Sequence, residues 1–237
     1  TVVSIFVNPT QFGPNEDFKD YPRNLDADLV LLQHMTHVNY IFTPQTEILY
    51  GADLSTATSV HIPDLSTRYC GQSRPQFFDG ICTVVTRLLN CVTPTHAYFG
   101  EKDFQQLFLI KKLVADLFIP VKIIGCPIIR GDNGLANGLA LSSRNQYLTR
   151  PQKEEASTLY KMLKYGQELY QSGETNATYI EDKMRQFLEK NTSIEIDYIA
   201  FVDKDTLLPV SICTNTTRIL AAGYLAKTRL IDNLGVV

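Results

Sequence analysis

The chain has 237 residues, 44% hydrophobic and 20% charged, with 22 basic against 25 acidic side chains and a formal net charge of −3. That length suits one large α/β domain or two modest ones, and the mild acidity excludes a general nucleic-acid binder, which would carry a basic excess. With 10% aromatics and no low-complexity run the chain is not disordered, and no apolar run approaches the ~20 residues that span a bilayer.

Residues 1–7 are β-branched and apolar almost throughout, the composition of a strand buried on both faces of a parallel sheet. They run directly into a loop of turn residues, 8–15. A strand at a chain's first residue normally lies on an edge, yet this one has central composition and begins at Thr1 without a methionine, so a preceding segment is expected. Leu25, Leu29 and Leu32 recur at helical spacing behind Asn24, a good N-cap. Residues 38–42 read as a strand, 56–63 as another short one, 80–92 as a buried helix, and 96–99 as strand again. Asp103 is expected to cap an amphipathic helix with Leu107, Ile110, Leu113, Val114 and Leu117 on one face, followed by a strand at 121–125. Strands alternating with helices predict an α/β fold with a parallel, doubly wound sheet.

After Pro127 the pattern changes. Residues 128–145 form a loop rich in glycine and asparagine. Pro151 is placed to open a helix running to about 171, a second helix covers 178–189, and strands follow at 194–202 and across 217–233. Helices and then strands predict a smaller C-terminal α+β domain, so two domains are expected, 1–128 and 129–237. The five cysteines (Cys70, Cys82, Cys91, Cys126, Cys213) are odd in number, widely spaced and without a C-x-x-C pair. They read as reduced thiols of a cytoplasmic protein, not as disulfides or zinc ligands.

Open α/β sheets bind ligands beyond the carboxyl ends of their strands, and three polar loops fall there or at the domain junction. In Asn8-Pro-Thr-Gln11-Phe the two amides offer donors and acceptors suited to a small hydroxy-acid; an Asx or proline turn is the alternative. In Phe99-Gly100-Glu101-Lys102-Asp103-Phe104-Gln105-Gln106, Gly100 admits a ligand to the backbone and Lys102 supplies a point charge for phosphate. The helix start adds amides and a positive dipole end, with Gln106 on its first turn; a plain capped helix start is the alternative. The third loop repeats Asn-Gly-Leu-Ala (133–136, 137–140) before Leu141-Ser142-Ser143-Arg144-Asn145. Its hydroxyls and guanidinium suit a triphosphate and a departing pyrophosphate, against the alternative of an interdomain linker. The chain has no P-loop, no G-x-G-x-x-G and no G-x-S-x-G elbow, and His34-Met-Thr-His37 is read as structural.

Together and in this order, these segments resemble the pantothenate synthetase family. The resemblance is carried by residues 4–13 (Ser-Ile-Phe-Val-Asn-Pro-Thr-Gln-Phe-Gly), 21–28 (Tyr-Pro-Arg-Asn-Leu-Asp-Ala-Asp), 70–75 (Cys-Gly-Gln-Ser-Arg-Pro) and 99–103 with Gln105-Gln106. It continues through 139–145 (Leu-Ala-Leu-Ser-Ser-Arg-Asn) and 228–233 (Thr-Arg-Leu-Ile-Asp-Asn). It implies a Rossmann-like fold of the nucleotidyltransferase superfamily and an ATP-dependent ligase joining pantoate to β-alanine through a pantoyl adenylate, with release of pyrophosphate and AMP. By position, it implies that Gln11 and Gln106 hold pantoate with Asn8 supporting them. Gly100, Glu101, Lys102 and Asp103 would contact ATP, Lys102 at phosphate and Asp103 at a ribose hydroxyl. The Ile129 backbone would meet adenine, while Leu141, Ser142, Ser143 and Arg144 close over the phosphates. Lys102, Ser142, Ser143 and Arg144 would form the catalytic group. Asp28 matches an acidic position near magnesium (Mg2+), which would bind mainly through ATP oxygens. A cytoplasmic homodimer without nucleic-acid or membrane partners is also implied.

Three features depart from the family. Its N-terminal segment with M-G-x-L-H-x-G-H has no counterpart here, so impaired adenylation is expected of the chain as it stands. Its R-P-G-H-F is Arg74-Pro-Gln-Phe77-Phe78, and its single D-G-L-A is the tandem repeat. Two rival readings are a small nucleotidyltransferase that stops at nucleotide transfer and a non-catalytic nucleotide-binding or dimerisation module.

Overall fold

The computed structural model describes residues 1–14, 16–35, 37–131 and 137–237. The β-branched opening forms β1 (Val2–Ser4), paired in parallel with β2 (Tyr40–Phe42) in the register Val2–Tyr40, Val3–Ile41, Ser4–Phe42. The two-sided burial expected of β1 is not met: Val2 and Ser4, which share one face of the strand, are exposed, and Val3 on the opposite face is half-buried. Between them lies α1 (Leu25–Gln33), capped as expected by the Asn24 side chain, which accepts from Ala27 N–H at 3.2 Å. The short α2 (Thr46–Tyr50) stops at Gly51, whose φ of +79° suits glycine.

The expected strand at 56–63 does not form. A 3-10 turn occupies Leu54–Thr56 under an Asp53 cap, and the Val60 N–H donates to Thr83 Oγ1 (2.8 Å) instead of to a ladder. After α3 (Cys70–Ser73), the apolar run becomes α4 (Phe77–Val92), burying Phe78, Ile81, Cys82, Val84, Val85 and Leu89. β3 (His96–Gly100) leads into a 3-10 turn, Glu101–Asp103, that continues without a break as α5 (Phe104–Asp116). Asp103 therefore belongs to this turn and does not cap α5. Leu107, Ile110, Leu113 and Val114 are buried as the periodicity predicts, whereas Leu117, past the helix end, is exposed. β4 (Lys122–Cys126) pairs with β3.

The expected single helix 151–171 is two, α6 (Arg150–Ala156) and α7 (Thr158–Gln171). A capping box between Thr149 and Gln152 starts α6, with Pro151 near its beginning. The break falls at Ser157, whose hydroxyl donates back to Glu154 O (2.6 Å). α8 (Ala177–Asn191) follows, then β5 (Glu195–Asp203), β6 (Thr217–Leu225) and β7 (Thr228–Gly235), an antiparallel sheet in the order β5-β6-β7. The region 217–233 is thus a hairpin. Its core brings Met162 and Leu163 of α7 together with Ile180, Met184 and Leu188 of α8 and Phe201, Ile219 and Leu230 of the sheet.

The chain is a mixed α/β protein of two compact units. One holds Thr1–Ala97 and Leu109–Ile123; the other holds Tyr98–Phe108 and Ile124–Val237. All five cysteines are free thiols. Among the described residues no helix is long and apolar enough to cross a membrane.

Candidate functional site

In the first unit, Asn8 and Gln11 are brought together by a 3-10 turn at Pro9–Gln11. Asn8 is 2% exposed and hydrogen-bonded throughout. Its Nδ2 donates to Gly80 O (3.0 Å) and to Gln11 Oε1 (3.2 Å), while its Oδ1 accepts from Thr10 Oγ1 (3.0 Å) and Tyr50 OH (2.7 Å). Both amide hydrogens are committed, so Asn8 is the anchor of the loop. Gln11 Nε2, by contrast, donates to no described residue and remains available. The loop's far side is held by Arg74, which donates to Gln11 O (3.1 Å) and Glu16 Oε1 (2.6 Å). The Arg74 guanidinium stacks 3.5 Å from the centroid of the Phe77 ring.

Tyr50 supports the same turn. Burial pushes its phenol above the usual range, so it stays protonated and donates to Asn8.

In the second unit, Gly100, Glu101, Lys102 and Asp103 form the tight turn between β3 and α5. Gly100 has open space where a side chain would stand: an added Cβ meets no protein atom within 4 Å. The underside of the turn is fixed from β7 and β6. Asn233 Nδ2 donates to both Glu101 O and Lys102 O at 2.9 Å, and its Oδ1 accepts from Arg218 Nε at 2.7 Å. Arg218 also pairs with Glu101 Oε2 at 3.3 Å and lies over the Phe104 ring. The Lys102 ammonium is 3.8 Å from the Asp103 carboxylate. Gln106, half-buried on the first turn of α5, makes no side-chain hydrogen bond to a described residue.

The loop after β4 has two arms. Leu141 N–H donates to Ile129 O and Gly131 N–H to Leu139 O, both at 2.9 Å, with an antiparallel bridge between Arg130 and Ala140. Ile129 therefore has its carbonyl partly occupied. The first Asn-Gly-Leu-Ala copy of the tandem repeat, 133–136, lies outside the described residues. In the second copy Gly138 has φ +89°, and a Cβ there would stand 2.2 Å from Tyr160 Cδ1, so only glycine fits. Arg130 is sandwiched between this ring and Asp232, to which it donates twice (2.6 and 2.8 Å). Asp232 is buried, and burial pushes its carboxyl upward against the pull of Arg130.

Beyond Leu141, Ser142 caps a 3-10 turn at Ser143–Tyr147, accepting from Arg144 N–H at 3.3 Å. Its hydroxyl proton is left to donate elsewhere. Ser143 is exposed and Arg144 half-buried. Asn145 donates to Ala140 O (3.0 Å), while its buried Oδ1 has no donor among the described residues.

Asp28 is exposed in the first turn of α1, where its charge also complements the helix dipole. Among the described residues no group of three His, Cys, Asp or Glu side chains is placed to hold a metal ion. His34 is an exposed helix-end residue whose ring pairs with Val30 O.

Sequence reading missed Arg74, Arg130, Arg218 and the role of Asn233. Each acts over at least 15 residues of sequence, and the available signals were that 70–75, with Arg74, and 228–233, with Asn233, share the family pattern.

Residues 1–235 match the family described as Pantoate-beta-alanine ligase. A pantothenate synthetase from Pseudothermotoga lettingae is 46% identical over 233 residues, which is 98% of this chain and 80% of the relative. The crystal structure of pantothenate synthetase from Thermus thermophilus superposes with a TM-score of 0.92 at 40% identity, covering 99% of this chain and 83% of that one. A pantoate-beta-alanine ligase from Francisella tularensis, solved with beta-gamma ATP and beta-alanine, gives a TM-score of 0.76 at 35% identity over 99% of this chain and 78% of that one.

Proposed function

The chain belongs to the pantoate-beta-alanine ligase family, and from that membership we propose that it condenses pantoate with β-alanine through a pantoyl adenylate. It is an ATP-using ligase that forms a carbon–nitrogen bond, on the nucleotidyltransferase fold of its structural neighbours. A carboxylate is a poor acyl donor until one oxygen becomes part of a good leaving group. In the proposed first step a pantoate carboxylate oxygen attacks the α-phosphorus of ATP, and the bond to pyrophosphate breaks. In the second, the β-alanine amine attacks the acyl carbon, AMP departs and the nitrogen loses a proton. Both steps ask the protein to orient groups and neutralise charge.

The residues divide accordingly. The Nε2 groups of Gln11 and of Gln106 each offer a donor to pantoate, with Asn8 fixing Gln11. Lys102 meets phosphate from a turn whose backbone is open at Gly100, and Asp103 meets the ribose. The free N–H of Ile129 faces adenine, while the Ser142 and Ser143 hydroxyls and the Arg144 guanidinium neutralise departing pyrophosphate. A magnesium ion held chiefly by phosphate oxygens, with Asp28 as the candidate protein carboxylate, would add charge neutralisation. The proposed domain boundary is near 128, where β4 has ended at Cys126 and Pro127 removes a backbone donor, and the proposed assembly is a homodimer.

One observation carries this reading. The Glu101–Asp103 turn is clamped from below by Asn233 and open in front of Gly100, as a backbone built to receive a nucleotide requires. The test is exchange of labelled pyrophosphate into ATP by the full-length protein without β-alanine. Exchange that depends on pantoate, followed by equal yields of AMP and pantothenate once β-alanine is added, is expected. Formation of ADP and phosphate, or pantothenate without any exchange, would overturn the adenylate. A stable adenylylated product that ignores β-alanine would favour a nucleotidyltransferase that stops at transfer.

A further inference from the structure

We propose that Asn233 is a positioning residue for the nucleotide-binding turn, aiming Lys102 by clamping both peptide groups that flank it; the proposal rests on the reading of Gly100–Asp103 as an ATP contact. The Asn233 side chain is 2% exposed. One of its amide hydrogens goes to the carbonyl before Lys102 and the other to the carbonyl of Lys102 itself. Each peptide group is planar, so holding the two oxygens fixes the planes on either side of the Lys102 Cα. Those planes set φ and ψ of Lys102, and with them the direction in which its Cα–Cβ bond leaves the backbone. The same planarity turns the N–H groups of Lys102 and Asp103 away from Asn233. An aliphatic residue at 233 could fill the space but could not fix these planes.

The amide is itself held in one orientation. Its Oδ1 accepts from Arg218 Nε, which rules out a flipped amide, and Arg218 is steadied by Glu101 and by the Phe104 ring. Burial draws the Arg218 guanidinium below its usual range, against the pull of Glu101, so the contact with Glu101 is one the fold has reason to keep. The preceding residue serves the other segment. Asp232 accepts twice from Arg130, which in turn donates to Gly138 O in the loop that carries Ile129 and Leu141 to Arg144. Asp232 also accepts from the Asn233 N–H at 2.7 Å. Two successive residues of β7 therefore hold both candidate nucleotide segments.

The test is steady-state kinetics of Asn233→Asp, alone and combined with Lys102→Ala, with thermal melts of each variant. Asn233→Asp keeps the shape and the acceptor for Arg218 but turns an oxygen toward the two carbonyls. It is expected to raise KM for ATP by about tenfold, the scale of a lost buried hydrogen bond, and to leave KM for β-alanine within about twofold. Because the amide acts through Lys102, its effect on ATP in the Lys102→Ala background should fall below about twofold. A Lys102→Ala enzyme with unchanged ATP kinetics would overturn the reading of the turn as a nucleotide site. An impaired Lys102→Ala enzyme together with an unchanged ATP KM in Asn233→Asp would overturn the positioning role alone. Equal rises in KM for all three substrates, or fully additive effects, would overturn it too. Should Asn233→Asp fail to fold, Arg218→Lys takes its place, with a rise of about threefold in KM for ATP expected and the same collapse in the Lys102→Ala background.

Discussion

Replacing Gly80 by alanine sets two sizeable effects against each other at one atom. Gly80 is the fourth residue of α4, and alanine in a helix interior is worth about 1 kcal/mol over glycine. The added Cβ, however, would stand 2.5 Å from Thr10 O, 2.7 Å from Thr10 C and 2.8 Å from Gln11 N. All three are backbone atoms of the turn that presents Gln11, so no side-chain rotation relieves the overlap. Restoring ordinary contact needs a backbone displacement of roughly 1 Å. The turn cannot give way freely, because Asn8 ties it to Gly80 O and to Tyr50. Overpacking of this kind costs about 1–3 kcal/mol, and each strained buried hydrogen bond about 1 kcal/mol more. The steric term wins, with a net loss of about 1–2 kcal/mol and a fall in Tm of roughly 2–8 °C for a chain of this size. The same displacement moves Gln11, so KM for pantoate should rise by about tenfold while KM for ATP stays within about twofold. Calorimetry and initial-rate kinetics on Gly80→Ala measure both. An alanine variant about 1 kcal/mol more stable than the parent, with unchanged KM for pantoate, would refute the close-approach argument.

Removing the Asp232 carboxylate as Asp232→Ala strands the largely buried Arg130 guanidinium and is expected to cost about 3–5 kcal/mol, read from the urea midpoint. Adding Arg130→Met should recover much of that loss, and a double variant less stable than the single one would contradict the desolvation argument. At Asp203 the Thr216 hydroxyl (2.6 Å), with the Thr206 hydroxyl and two backbone amides, holds the carboxyl below the usual carboxylate range. A depressed folded pKa gives stabilisation that is fully present above the unfolded value near ~3.9 and is lost as pH falls through the lower folded one. The gap in Tm between the parent and Asp203→Asn should therefore be constant at neutral pH and close below about pH 4; a gap unchanged down to about pH 2.5 would count against it.

What the sequence disclosed of the fold was whatever local rules decide. The Asn24 cap, the apolar face of α5 and the placement of Pro151 are set within a few residues, and each element formed where its pattern pointed. The departures occur where a distant group takes over a backbone donor or acceptor. Residues 56–63 look like a strand by composition, but Val60 spends its N–H on Thr83, 23 residues away. Asp103 looks like a cap, but a side chain 131 residues beyond Lys102 holds its segment as a 3-10 turn. The split at Ser157 had no glycine or proline to announce it, only a hydroxyl able to bond backwards. For the site, residue types and order pointed to the three loops, since phosphate and hydroxy-acid chemistry restricts the choice of side chains. The framework beneath them was not readable, because Arg74 with Glu16, Arg130 with Asp232 and Arg218 with Glu101 are joined across 58, 102 and 117 residues.

The same chemistry also explains why composition alone could not separate residues proposed to touch substrate from residues that hold others in place. Asn8, Gln11, Gln106 and Asn233 all carry a primary amide with two donors and an acceptor. What differs is whether those donors are already engaged. Asn8 and Asn233 are each 2% exposed, and both hydrogens of each are bound to acceptors of their own unit. An amide so engaged has no hydrogen left for a ligand, and exchanging one partner for another would leave a buried carbonyl unpaired. Gln11 and Gln106 are half-buried, and their Nε2 groups meet no described acceptor. In the proposed reading, such a half-buried donor is one that a pantoate hydroxyl or carboxylate can accept from. Asn8 and Asn233 thus spend their donors on the framework, whereas Gln11 and Gln106 keep the donors that the proposed pantoate contact requires.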